Sequence, residues 1–241
     1  MVVNLAAEVS DAGNMTATNV EGTKNLLDAV VANGVHTVVH LSSVGVVGAP
    51  YSYDKILIDE GATLTPGNSY ETTKAQSEKL FTTVAAQGDI RLTVARPTNV
   101  FGEGHPRDAL LRLMTRLAGR ALVPVGSQAQ SNFVYVGDVA GAITHLVDSS
   151  TTGTFNVGHP MPLADLMVLI RDVIGGHAPI LRIPPAVSAC ATAIGINTLQ
   201  PVTNGVAYDD THLRSEFDYP YGISEGIRRT ASDFRRRGLL A

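Results

Sequence analysis

Short apolar runs alternate with longer stretches whose apolar positions recur every three to four residues, and this alternation is what most restricts the fold. A strand that reads as an unbroken apolar run has no face turned to water, so both faces of its sheet must be covered. Parallel strands must in turn be joined by crossovers, usually helical. The chain is therefore expected to be α/β, with a parallel sheet between two layers of helices.

The first strand is expected at Val2 to Leu5. A helix follows from about Asn14, with Val20, Leu26, Leu27 and Val30 at helical spacing, and ends at Asn33-Gly34. Thr37 to Leu41 reads as a second buried strand. Pro66-Gly67-Asn68-Ser69 breaks the chain and caps a helix from Tyr70 to Ala86, which leads to a strand at Arg91 to Arg96. Beyond Gly102 the pattern loosens. It predicts a helix from Asp108 to Leu117, short strands near Leu122 and Phe133, a helix from Gly137 to Val147, and a segment at Thr154 to Val157 that rejoins the sheet. From His159 onward, helices alternate with proline-bounded extended pieces. The expected division is a sheet region over 1–100 and a smaller substrate lobe over 101–241, with 133–157 returning to the first.

Composition matters here for what it excludes. The net charge of −4 gives no basic face for nucleic acid or an anionic membrane. The basic residues from Arg228 to Arg237 recur among Ile227, Ala231 and Phe234, which predicts the solvated face of a terminal helix. The apolar stretch Pro184 to Ile196 is shorter than the roughly 20 residues of a membrane-spanning helix. MVVNLAAEVS has no basic start, so it is not a secretory signal. One cysteine, Cys190, permits no intrachain disulfide and is expected in the core. A cytoplasmic protein is the default expectation.

Tyr70 and Lys74 stand four residues apart on the predicted helix, with β-carbons about 5 to 6 Å apart on one face. A free phenol ionises near about pH 10, and a cation within about 4 to 6 Å lowers that value. Lys74 is therefore expected to make Tyr70 a usable acid/base near neutrality. Ser42-Ser43, at the end of the second strand, offers a hydroxyl to orient a substrate toward the phenol. A second Tyr-x-x-x-Lys, Tyr51 to Lys55, follows Gly48-Ala49-Pro50 and is read as loop. His36 and His40, if both lie in a strand, stand about 13 Å apart, too far to share an ion, so no metal site is expected. His105, His145, His159, His177 and His212 lack partner cysteines or carboxylate clusters and are read as surface or loop residues.

Seven segments carry a resemblance. Asn19 to Leu27 (NVEGTKNLL) is similar to the N-V-x-G-T-x-N-L-L helix of extended short-chain dehydrogenases/reductases, the group that includes NAD-dependent epimerases and dehydratases. Leu41 to Gly48 resembles their S-S-x-x-V-Y-G strand end, and Asp59-Glu60 with Pro66 resembles the D-E…P ahead of the Y-x-x-x-K helix. Glu78 matches a glutamate four residues past the lysine. Arg96 to Gly102 is similar to R-P-x-N-V-Y-G, Phe133 to Ala140 to F-V-Y-V-x-D-V-A, and Gly226 to Thr230 to the terminal helix. These segments come in family order over nearly the whole chain.

The resemblance implies a Rossmann-like parallel sheet with a smaller C-terminal substrate lobe, and NAD or NADP as cofactor. By it, Tyr70 is the catalytic acid/base, Lys74 lowers the phenol's pKa and holds the nicotinamide ribose, and Ser43 bonds the reacting oxygen. Leu5, Ala6, Ala7 and Ser42 lie along the cofactor, and Asn19 fixes the first strand end. Pro97 borders the nicotinamide and Asn99 reaches the substrate; from its own position alone, Pro97 is equally a strand terminator. A homodimer through the helices at Asn14 to Ala32 and Tyr70 to Ala86 is implied too.

Three departures bear on substrate and cofactor. The family's glycine-rich G-x-x-G-x-x-G turn is missing, so a truncated gene or fragment is expected, with Val2 to Leu5 as a bare sheet edge. Val47 replaces a tyrosine, and Ser131-Asn132 stands where many sugar-nucleotide enzymes have R-D. Without that arginine a bidentate phosphate contact is lost, so hydroxysteroid dehydrogenase-like alcohol oxidation stands beside action on a nucleotide-sugar hydroxyl. A non-catalytic binding protein that keeps the fold is the remaining alternative.

Overall fold

The structure is a computed structural model and describes residues 1–88, 90–104, 109–193 and 202–240. In chain order the first elements are β1 (Val2–Asn4), α1 (Ala12–Met15), a π-helical turn (Thr16–Glu21), α2 (Gly22–Ala32) and β2 (Thr37–Leu41). A 3₁₀ turn (Val44–Val47), β3 (Ile56–Ile58), α3 (Ser69–Ala86), β4 (Arg91–Pro97) and β5 (Asn99–Phe101) follow. Next come α4 (Ala109–Ala118), β6 (Val123–Gly126), β7 (Gln130–Ser131), β8 (Phe133–Tyr135), α5 (Val136–Asp148) and β9 (Gly153–Val157). The last are β10 (Met161–Pro162), α6 (Leu163–Ile174), β11 (Ile180–Ile183), α7 (Pro185–Ala193), β12 (Val206–Tyr208), α8 (Thr211–Arg214) and α9 (Gly222–Arg236).

A four-stranded parallel sheet runs in the order β1-β2-β4-β9. Its register pairs Val3 with Val39, His40 with Val94, and Pro97 with Val157. On one face Leu27 and Val30 of α2 and Phe81 of α3 close over Val38. On the other, Val139, Ala142 and Leu146 of α5 close over Ala95, Phe155 and Val157. The expected sandwich of helices around a parallel sheet is what forms. Because all four strands run the same way, their C-terminal ends share one edge, the edge at which open α/β sheets bind ligands.

A second core lies beyond that edge. Leu110, Met114 and Leu117 of α4, Leu166 and Ile170 of α6, and Ile227, Ala231 and Phe234 of α9 pack around Val123 and Val125. The basic residues of α9 face outward, where Glu225 pairs with Arg228 and Arg229, and Asp233 with Arg236 and Arg237. Two-stranded pairs also form in this part of the chain: β5 with β8, β6 with β11, and β7 with β10. The sequence pattern did not reveal β3, which pairs with β12 from more than a hundred residues away.

Two expectations fail in detail. Cys190 is exposed, because α7 lies at the surface, where Val187 is also 55% exposed. An apolar run cannot tell which of its sides another element will cover. His145 is half-buried within α5 and its Nε2 has no partner among the described residues. His105 and residues 194–196 of the apolar stretch lie outside the described residues. No helix among the described residues is long and apolar enough to cross a membrane.

Candidate active site

Asn68 accepts from the Glu71 main-chain N–H at 2.9 Å and starts α3, so Tyr70 and Lys74 fall on its first two turns. Lys74 is buried, and its ammonium donates to the Leu41 carbonyl oxygen at 2.5 Å. That bond draws the start of α3 against the end of β2. There Ser43 turns the chain into the 3₁₀ segment, its hydroxyl accepting from the Gly45 N–H at 3.1 Å, and it also hydrogen-bonds the Tyr70 phenol. β4 ends beside them in Pro97, and after Thr98 the chain enters β5 at Asn99.

Leu5, Ala7, Ser42, Ser43, Tyr70, Lys74, Pro97 and Asn99 line one cleft of about 550 Å³ at the strand ends. A wider hollow of about 840 Å³ shares Ser43, Tyr70, Thr98 and Asn99 and continues toward Tyr51, Ser131, Asn132, Asn204 and Tyr208. Two of the site residues expected from the sequence lie elsewhere. Ala6 faces a separate hollow with Val2, Thr18 and Leu26. Asn19 is buried behind the cleft, where it accepts from the Glu8 N–H at 2.7 Å and donates to the Glu8 oxygen at 2.9 Å and to the Thr73 hydroxyl at 3.0 Å. It thereby locks the segment after β1 to α3, one residue before Lys74. Asn19 sits in the π turn, an irregularity often found at functional sites.

The electrostatics correct one expectation. Burial raises the Tyr70 phenol above its ordinary value of 10, the Ser43 hydrogen bond pulls it back, and the Glu71 carboxylate pushes it up. Lys74, whose ammonium donates to the Leu41 carbonyl, does not contribute the expected lowering. Burial instead lowers Lys74 itself to about 8, with the Glu78 carboxylate opposing that fall. Beneath it, burial holds His40 well below the usual imidazole value, and the charge of Lys74 acts the same way. His40 Nδ1 meets the Asn4 amide at 3.2 Å.

Sequence reasoning missed Tyr208, Asn204, Val206 and Leu163, which reach the wider hollow from distant elements. No local pattern marks them, since β12 reaches the site only by pairing with β3. Glu71 was findable, because it follows Tyr70 directly. Tyr51 and Lys55 lie in irregular chain, and the Tyr51 hydroxyl is 2.7 Å from that of Thr203.

Residues 1–158 match the NAD dependent epimerase/dehydratase family. An Escherichia coli O157:H7 protein named N-acetyl-alpha-D-glucosaminyl-diphospho-ditrans,octacis-undecaprenol 4-epimerase is 27% identical over 255 residues, covering 95% of this chain and 76% of the relative. A mouse 3 beta-hydroxysteroid dehydrogenase type 7 is 32% identical over 132 residues, covering 51% of this chain and 36% of the relative. Among solved structures, UDP-glucuronic acid 4-epimerase from Bacillus cereus in complex with NAD superposes with a TM-score of 0.72 at 17% identity, covering 98% of this chain and 74% of that one. This last likeness concerns the fold. The family match extends over the sheet, the Ser43 strand end, the Tyr70 helix and the return strand β9, so the chain belongs to the NAD dependent epimerase/dehydratase family.

Proposed function

We propose that the protein is an NAD(P)-dependent oxidoreductase of the epimerase or dehydratase type that acts on a hydroxyl of a nucleotide sugar through Ser43, Tyr70 and Lys74. The observation that carries this reading is the shared cleft, where Ser43 after β2, Tyr70 and Lys74 of α3, Pro97 of β4 and Asn99 of β5 converge. In this reading the sheet region over 1–100, with 133–157, serves the cofactor, and the remainder of 101–241 mainly serves the substrate.

The residues present fit the nicotinamide end of such a cofactor. Leu5, Val9, Pro97 and Val100 give the cleft apolar lining, and buried Lys74 brings a cation to the same cleft. When bound, the nicotinamide supplies the hydride acceptor and donor. Ser43 holds the substrate oxygen against Tyr70, which takes the hydroxyl proton in its phenolate form and returns it as the phenol. An ammonium has three N–H donors and Leu41 takes one of Lys74's, so the cation can serve the cofactor ribose without leaving α3. Asn99, on the border with the wider hollow, bonds the substrate.

A second reading, oxidation of an uncharged alcohol in the manner of a hydroxysteroid dehydrogenase, is favoured by one feature. Among the described residues lining the wider hollow, Glu71 is the only charged one, and the buried Thr98 and Ser131 hydroxyls have no partner there. A diphosphate calls for a cation, whereas neutral hydroxyls suit such a wall. The test is to bind NADH and NADPH, followed by nicotinamide fluorescence, and then to assay nucleotide sugars and sterols for hydride transfer. Binding with turnover of a nucleotide sugar is the expected result. Failure to bind either cofactor overturns both readings and leaves a non-catalytic role. A homodimer through the helices over Asn14 to Ala32 and Tyr70 to Ala86 is also proposed, with light scattering as its check.

A further inference from the structure

We infer that Glu78 is a positioning residue for the Tyr70–Lys74 pair: a buried carboxylate that ties together the three elements carrying the site and supplies negative charge beside the Lys74 ammonium. The inference rests on the functional reading just given. Glu78 lies on α3 one turn beyond Lys74, so the two share a helix face with β-carbons about 5 to 6 Å apart. Glu78 is only 4% exposed. It accepts from the Ser42 hydroxyl at 2.7 Å at the end of β2, and both Nε, at 3.2 Å, and Nη2 of Arg96 donate to it from β4. Arg96 in turn donates to the Glu60 carbonyl at 3.0 Å. One side chain thus joins the helix of Tyr70 and Lys74, the strand of Ser43 and the strand of Pro97.

The surroundings of Lys74 explain why the charge matters as well as the geometry. From β2 it faces His40, which burial keeps neutral, and from its own helix Tyr70, whose raised value keeps it neutral. From β4 comes Arg96, whose guanidinium is engaged by Glu78. The π turn brings Asn19, which is neutral, and the segment after β1 brings Glu8, whose carboxylate is occupied by Ser10 and the Asp11 N–H. Glu78 is therefore the carboxylate that offsets the burial of Lys74, in agreement with its upward push on that lysine. A carboxylate with a merely structural role would hold Ser42 and Arg96 and leave the titration of Lys74 unmoved.

The test is to follow lysine titration by heteronuclear NMR, which is tractable because the chain has four lysines; loss of a signal in Lys74→Arg assigns the resonance. The wild-type ammonium is expected to titrate at about 8, and in Glu78→Gln at least about one unit lower. Glu78→Asp keeps the charge and is expected to return most of the shift. Because Glu78→Gln strands the Arg96 guanidinium, Glu78→Gln with Arg96→Met is measured alongside and should show the same fall, since Arg96 is not among the groups that move Lys74. Turnover of the glutamine variants is expected to decline on the alkaline side about one unit earlier than wild type. An unchanged Lys74 midpoint in both glutamine variants overturns the inference. Absence of cofactor binding by the wild type would defeat the functional reading, whereas the NMR titration judges Glu78 without it.

Discussion

The Lys74 ammonium donates to the Leu41 main-chain oxygen at 2.5 Å, and this contact fixes the Tyr70 helix against the strand that leads into Ser43. Lys74→Met keeps the length of the side chain and removes both charge and donor. Turnover is expected to fall by about 10²-fold or more, and stability by about 1 to 3 kcal/mol because a buried carbonyl loses its partner. Lys74→Arg should not rescue turnover, since a planar guanidinium does not fit a site shaped for a compact ammonium. Steady-state kinetics and chemical unfolding check both statements, and near-wild-type turnover of the methionine variant would count against the assignment.

Tyr70→Phe removes one hydroxyl and leaves the ring packed. Turnover should drop by about 10²- to 10⁴-fold while the unfolding midpoint moves little. A variant that is inactive because it is unfolded, or fully active, would each contradict the role given to the phenol.

Asn19→Ala takes away the amide that holds both main-chain groups of Glu8. Nicotinamide cofactor affinity is expected to fall several-fold, with a stability loss of about 1 to 3 kcal/mol from the stranded groups. Fluorescence titration separates the two effects, and unchanged affinity would mean that the segment after β1 does not contact the cofactor.

Asp210 carries a pH signature. Burial raises its carboxyl from the ordinary 3.8 to about 6, against the pull of Arg214. For an acid raised in the folded state, the folded form binds more protons than the unfolded one, so stability is greatest below about 4 and is lost as pH rises through about 6. Asp210→Asn removes this loss. Its stability gain over wild type should grow from about pH 4 to about pH 6 and then level off, at no more than about 3 kcal/mol. Paired denaturation curves across that window test it, and a gain that is constant with pH would refute the cause given.

Gly48 closes the 3₁₀ turn at φ 83°, where a β-carbon would collide with the Thr65 carbonyl oxygen. Gly48→Ala meets both a conformational and a steric penalty there and should destabilise by more than about 1 kcal/mol. Gly34→Ala, also at positive φ but with open space around it, serves as the control that isolates the steric part.

Legibility varied along the chain for physical reasons. β2 has the bounds expected of Thr37 to Leu41, and α3 starts one residue before Tyr70, because a buried strand and a capped helix are written in local periodicity. β3 and β12 have three residues each and exist only through each other, so neither leaves a local signal. Cys190 shows the same limit from the other side: composition reports that a run is apolar, and only packing decides which side is covered.

The site divides in the same way. From its sequence the chain determined that Tyr70 and Lys74 share a helix face and that Ser43 and Pro97 end strands, since helix pitch and strand polarity are local properties. Tertiary structure alone decided where the Lys74 ammonium points, what burial does to the Tyr70 phenol, and that Glu78 meets Ser42 and Arg96. Those facts depend on desolvation and on partners brought together by the sheet, and neither is encoded in the spacing of residues along the chain.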